Sequence, residues 1–268
     1  MKQYHKVLTI AGTDSGGGAG IPADIKAISA CGSYAACVIT AVTVQNTLGV
    51  TDVHDIPPQI IKAQAQAVLS DIGADAIKIG MLSKAETVNA VAEALTCATT
   101  PNIVLDTVMV STSGHRLLQP DAIDALCNNL MPKAMLITPN IPEAEVLLGE
   151  KIEHQQQLDD CAKRLSAIAG NSVLLKAGHL EGSDKFYDVL YNAKSGQTTH
   201  YPYQRINTIN THGTGCTLSS AIAAFLSQGY EIEMAVKQAE DYLHKALADG
   251  AEYKIGHGHG PVKHFAWE

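Results

Sequence analysis

Aromatic side chains are scarce in this sequence, at 5% of 268 residues, so a buried core must rest on Ala, Val, Ile and Leu. Charged residues are also few, at 17%, and the 19 Lys and Arg are scattered along a chain of formal net charge −8. Neutralising a nucleic-acid backbone needs clustered basic residues, which excludes nucleic acid as a partner. Nucleotide phosphates remain accessible to an acidic protein through backbone N–H groups and Mg²⁺. No apolar stretch reaches the roughly 20 residues of a membrane-spanning helix. The apolar run 7–10 passes straight into a polar glycine loop, without the apolar segment of a signal peptide. A cytoplasmic protein with no membrane partner is expected. None of the six cysteines has CxxC spacing, and five of them read as buried, reduced thiols.

Short apolar runs alternate with amphipathic helical segments. Strands are expected at 7–11, 38–44, 76–79, 103–105, 135–138 and 173–176. Helices are expected at 22–31, 57–72, 84–95, 121–130, 143–148, 158–169, 214–228 and 233–249. The runs 186–191 and 198–203 read as a hairpin turning at Lys194-Ser195-Gly196. The alternation predicts one α/β domain over residues 1–268, with a mainly parallel central sheet, helices on both faces and a late antiparallel hairpin. Ligands of such sheets sit at the C-terminal strand ends, which selects the loops 12–20, 106–114, 138–143 and 176–180.

Three constellations carry chemistry. In Asn210-Thr211-His212-Gly213-Thr214-Gly215-Cys216-Thr217, two glycines let N–H groups converge at the start of an apolar helix. Such a turn either stabilises a transferring phosphoryl group or merely caps the helix. Cys216, in the first helical turn, is expected to have a pKa lowered toward neutrality, suiting it to take a proton from an alcohol; the alternative is a small buried thiol. The loop Gly12-Thr13-Asp14-Ser15-Gly16-Gly17-Gly18-Ala19-Gly20 follows the first strand but fits neither the dinucleotide fingerprint nor the P-loop. In Thr138-Pro139-Asn140-Ile141-Pro142-Glu143, Asn140 and Glu143 could hold Mg²⁺ directly or through water, or Glu143 could be a helix-start carboxylate. Asp106, ending its strand, has the same two readings.

These segments, with Val44-Gln45-Asn46-Thr47, Lys78-Ile79-Gly80-Met81-Leu82, Leu105-Asp106-Thr107-Val108-Met109 and Lys176-Ala177-Gly178-His179, resemble the ribokinase-like superfamily and most closely its hydroxymethylpyrimidine branch. The similarity runs through nearly the whole chain in the family's order. It implies a bifunctional kinase of thiamine biosynthesis, which uses MgATP to convert 4-amino-5-hydroxymethyl-2-methylpyrimidine to its monophosphate and then its diphosphate. It also implies a homodimer. By matching position, Gly12, Asp24, Val44, Gln45, Met81 and Val108 would meet the pyrimidine. Asn140, Glu143 and Lys176 would lie on the MgATP side, with Asp106 and Glu143 toward the metal. Gly213, Thr214 and Gly215 would form the anion hole, with Cys216 as base.

The chain departs from the family in its first loop, where Ser15 follows Asp14 in place of a common Pro, and at Pro22 and Ala177. None of these changes removes a group needed for phosphoryl transfer. Cys216 stands where sugar-kinase relatives carry Asp, which points to the pyrimidine or pyridoxal branch. A pyridoxal kinase is therefore the second reading, and a non-catalytic pyrimidine binder the third. The three histidines of the tail 256–264 lack Cys or carboxylate neighbours, so a docked structural tail is expected there rather than a metal site.

Overall fold

The computed structural model describes residues 2–109, 117–178 and 186–265. Its centre is a nine-stranded sheet of order β3-β2-β1-β4-β5-β6-β7-β8-β9. The strands are β1 (Lys6–Asp14), β2 (Tyr34–Asn46), β3 (Gly49–Asp55), β4 (Ala76–Ile79), β5 (Ile103–Leu105), β6 (Leu136–Ile137), β7 (Ser172–Leu175), β8 (Phe186–Asn192) and β9 (Gln197–Tyr203). Strands β2, β1, β4, β5, β6 and β7 pair in parallel. The pairings β2–β3, β7–β8 and β8–β9 are antiparallel.

Burial on both faces explains the short apolar strands, because side chains alternate between two cores. Leu8, Ile77, Leu105, Ile137 and Leu175 pack against α2 (Pro58–Asp71), α3 (Ala85–Ala94), α4 (Pro120–Ala125), α5 (Ile141–Leu148) and α6 (Leu158–Ala169). Their neighbours Val7, Ala76, Val104, Leu136 and Leu174 pack against α1 (Gly20–Ala30), α7 (Thr214–Ser227) and α8 (Ile232–Gly250). With so few aromatics, small residues let the layers approach closely, and Ala221, Ala223 and Ala224 of α7 are completely enclosed. Among the described residues no helix is long and apolar enough to cross a membrane.

Two expectations need correction. Antiparallel pairing occurs at both edges of the sheet, because β3 folds back on β2 from Asn46↔Gly49 to Ala41↔Asp55. The helix expected at 121–130 divides into α4 and a wider π-helical turn, Leu126–Leu130. The tail does dock: His257 and Gly258 donate N–H groups to Thr47 Oγ1, and His259 donates to the Thr47 carbonyl. The site loop 106–114 lies outside the described residues from position 110, and the loop 176–180 from position 179.

Candidate active site

The parallel strands deliver β1, β4, β5, β6 and β7 to one edge of the sheet, where α7 begins. Gly213 turns the chain with φ 78°, and a Cβ there would overlap the Gly18 carbonyl. Thr217 Oγ1 donates to the Gly213 carbonyl at 2.8 Å, fixing the turn from within the helix. The first N–H groups of a helix have no partner within it, so those of Gly215 and Cys216 are available to an anion. Beneath them Lys176 Nζ lies 3.0 Å from Asp106 Oδ1. Gly215 fits directly over this pair, since a Cβ would come within 3.4 Å of Asp106 Oδ2 and 3.5 Å of Lys176 Nζ.

Asp106 also accepts from the Thr138 and Ser219 hydroxyls, both at 3.3 Å. Asn140 and Glu143 form a reciprocal cap on α5: Glu143 N–H donates to Asn140 Oδ1 and Asn140 N–H to Glu143 Oε2, each at 3.0 Å. Glu143 further accepts from Thr107 Oγ1 at 3.0 Å. Glu143 thus forms the helix-start carboxylate, one of the two readings left open for it. Burial, with the Asp106 charge, pushes its pKa up. Burial pulls the Lys176 ammonium's pKa down, but Asp106 and Glu143 more than offset this and leave it raised. Two acids share the single Lys176 ammonium here, which suits Mg²⁺, but their oxygens already accept hydrogen bonds. They fit a metal through intervening water rather than as direct ligands.

The first glycine loop wraps around one carboxylate. Asp14 accepts from Gly16 N (2.7 Å), Gly18 N (3.0 Å), Ala19 N (2.9 Å) and His212 Nε2 (2.8 Å). Burial alone would raise its pKa, but His212 and these N–H groups hold it below the usual value. A Cβ on Gly18 would overlap the His212 ring, so loop and turn are packed together. His212 Nε2 is also 3.3 Å from the Gln45 carboxamide, whose oxygen lies 3.0 Å from Thr43 Oγ1. Met81 Sδ is beside Gly12, where a Cβ would approach it to 3.1 Å, and Val108 is half-buried. Val44 points the other way along β2 and is 57% exposed.

Two expectations fail on burial. Asp24, expected at the pyrimidine, is fully enclosed and held by Lys78 Nζ at 2.7 and 2.9 Å, Thr9 Oγ1 at 2.6 Å and Ser220 Oγ at 2.8 Å. No oxygen of it is left to face a ligand. The Cys216 pKa is raised, not lowered. Burial pushes the thiol up to about 11, Asp24 and Asp106 adding to the effect while Lys78 and the Gly20 N–H oppose it.

Residues 14–263 match the family model described as phosphomethylpyrimidine kinase. The chain belongs to the phosphomethylpyrimidine kinase family. A hydroxymethylpyrimidine/phosphomethylpyrimidine kinase from Rhizobium meliloti is 47% identical over 263 residues, with 96% of each chain covered. The structure of phosphomethylpyrimidine kinase from Clostridium difficile is similar with a TM-score of 0.79 and 42% identity, over 90% of this chain and 98% of that one. A pyridoxal kinase from Staphylococcus aureus, in complex with AMP-PCP and pyridoxal, gives a TM-score of 0.88 at 30% identity, over 99% of this chain and 95% of that one. The chain is thus a kinase of ribokinase-like fold. Two further residues stand at this end of the sheet that were not expected there: Lys78, paired with Asp24, and His212, paired with Asp14. Lys78 carried a signal, as the one charged residue in the otherwise apolar run Ala76–Ile79. His212 carried none beyond adjacency to Gly213.

Proposed function

We propose that this chain, as one cytoplasmic kinase domain assembling into a homodimer, transfers the γ-phosphoryl group of ATP twice. The first acceptor is the hydroxymethyl group of an aminopyrimidine, and the second is the monophosphate so formed. The observation that carries this reading is the Gly213–Gly215 turn seated over the Asp106–Lys176 pair. In a phosphoryl transfer the equatorial oxygens carry the charge, and catalysis is chiefly positioning and electrostatics. Gly215 and Cys216 N–H groups would meet those oxygens, and Lys176, kept protonated by its acids, would face the nucleotide phosphates. Asp106 and Glu143 would hold a Mg²⁺ ion, which would supply further neutralisation of phosphate charge. Gln45, Met81, Gly12 and Val108 would frame the pyrimidine, the carboxamide both donating and accepting opposite an aminopyrimidine edge. Asp24 would hold Lys78, whose charge acts on the Cys216 thiol.

Incubating the protein with hydroxymethylpyrimidine and MgATP, with mass detection of products, tests the reading. Monophosphate followed by diphosphate is expected. ATP consumption only with pyridoxal, or a far higher kcat/KM for it, would replace this function with that of the pyridoxal kinases. No turnover at all would leave a binding protein.

A further inference from the structure

Behind Lys176 lie two acids that touch neither phosphate turn nor pyrimidine pocket. Asp188 on β8 is 5% exposed and Glu240 on α8 is 4% exposed. Asp188 Oδ1 accepts the N–H of Ala177 at 2.7 Å, and Ala177 directly follows Lys176. The Asp188 carboxylate is also hydrogen-bonded by the Tyr203 hydroxyl and by Glu240. Among the described residues, no N–H or O–H donor reaches the buried Oε1 of Glu240.

Several titratable or charged groups face this pair. Lys176 lies at the end of β7, Tyr203 on β9 and Arg205 just beyond it, while Asp241 and His244 belong to α8. His244 Nδ1 stands 3.9 Å from Glu240 Oε2. Burial lowers the pKa of His244, so it brings no cation at neutral pH. Two buried carboxyl groups in hydrogen-bond contact do not both ionise. The donors identify the neutral partner: Asp188 receives the Ala177 N–H and the Tyr203 hydroxyl, whereas none reaches Oε1 of Glu240, and a buried carboxylate oxygen without a donor is costly. Burial and the Asp188 charge raise the pKa of Glu240 accordingly. Its hydroxyl then donates to Asp188, which is left ionised to receive Ala177 N–H and to face the Lys176 ammonium.

We propose that Asp188 and Glu240 are a proton-sharing pair that fixes the backbone at Ala177 and so positions Lys176 for the nucleotide phosphates. Both are positioning residues, and the inference rests on the reading of Lys176 given above.

The test compares Glu240→Gln and Glu240→Leu with the native protein. AMP-PCP binding is measured by calorimetry with Mg²⁺, and kcat and KM for ATP from mildly acid to alkaline pH. Glu240→Gln, which keeps a neutral donor, should bind like the native protein near neutrality. Glu240→Leu removes the donor and should weaken AMP-PCP binding and raise KM for ATP roughly tenfold. As pH rises and Glu240 loses its proton, native binding should weaken while Glu240→Gln binding stays level. Equal impairment of the two variants, unchanged binding in Glu240→Leu, or superimposable pH profiles for native and Glu240→Gln would each overturn the proposal. If Glu240→Leu does not fold, the comparison of native and Glu240→Gln profiles decides alone. A native protein that does not bind AMP-PCP at all would remove the kinase reading first, and this inference with it.

Discussion

The thiol of Cys216 lies between opposing charges, with the Lys78 ammonium favouring the thiolate and Asp24 and Asp106 disfavouring it. Burial decides the balance and holds the pKa near about 11. At about pH 7 only around one thiol in ten thousand is then ionised. The thiolate that could serve as a base is therefore a minor form at this pH. In a loose transition state the attacking alcohol needs little activation and becomes strongly acidic only as its bond to phosphorus forms. The minor thiolate form, favoured by Lys78, can take the proton at that late point and becomes the neutral thiol as it does so. Only the first transfer requires this, because the second uses a phosphate that is already ionised. Cys216→Ala should slow the first transfer by roughly a hundredfold and the second far less. The native first-step rate should also climb with pH toward about 11, and the variant's should not. Single-turnover mass detection of both products reads this out. Equal losses in the two steps would mean that the glycine turn acts without a base.

At the scale of elements, legibility followed burial. The expectations for Ala76–Ile79, Ile103–Leu105 and Leu158–Ala169 coincide with β4, β5 and α6, because sheet or core burial imposes an unbroken apolar pattern. Strand β3 was not legible. Only Val50 of its seven residues is buried, so no apolar alternation marks it. The Gly213 turn was legible because a close approach to Gly18 demands glycine, and such demands leave a mark in sequence. Asp24 was misplaced because no one-dimensional pattern tells whether a helix turns a carboxylate to the pocket or to a buried lysine. Asp188 and Glu240 meet only when β8 packs under α8. The β2–β3 edge carries a prediction of its own. Val42 and Val44 share a face at 43% and 57% exposure, and Leu48 in the turn is 67% exposed. Clustered exposed apolar residues at a sheet edge mark an association surface. Sedimentation velocity should show a dimer, and Val42→Asp should shift it toward monomer. A native chain sedimenting as monomer at assay concentrations would refute this assembly.

For the molecule as a whole, buried ionisable groups pull stability in opposite directions with pH. Glu143, Asp188 and Glu240 have raised pKa values in the fold, chiefly from burial. The fold retains protons that the unfolded chain releases, so these groups cost stability as pH rises past their unfolded values. His264 works the other way. It lies under the Gly213–Gly215 turn, 4% exposed, with Nε2 at 3.2 Å from Thr217 Oγ1. The Thr217 hydrogen is committed to Gly213, so the imidazole donates and stays neutral. Burial, helped by Lys26 and His212, brings its pKa from 6.5 down to about 4. Above pH 6.5 both folded and unfolded forms are neutral and the contribution is complete. Between 6.5 and about 4 the unfolded chain takes a proton that the fold refuses, and up to about 3 kcal/mol is lost. His264→Asn keeps a donor for Thr217 without titrating, whereas the three acids are common to both proteins. The variant should melt below the native protein near pH 7, and the gap in Tm should narrow steadily toward pH 5. A gap that stays constant over that range would show that His264 is not held neutral beneath the turn, and the coupling of the tail to the Gly213 turn would lose its electrostatic basis.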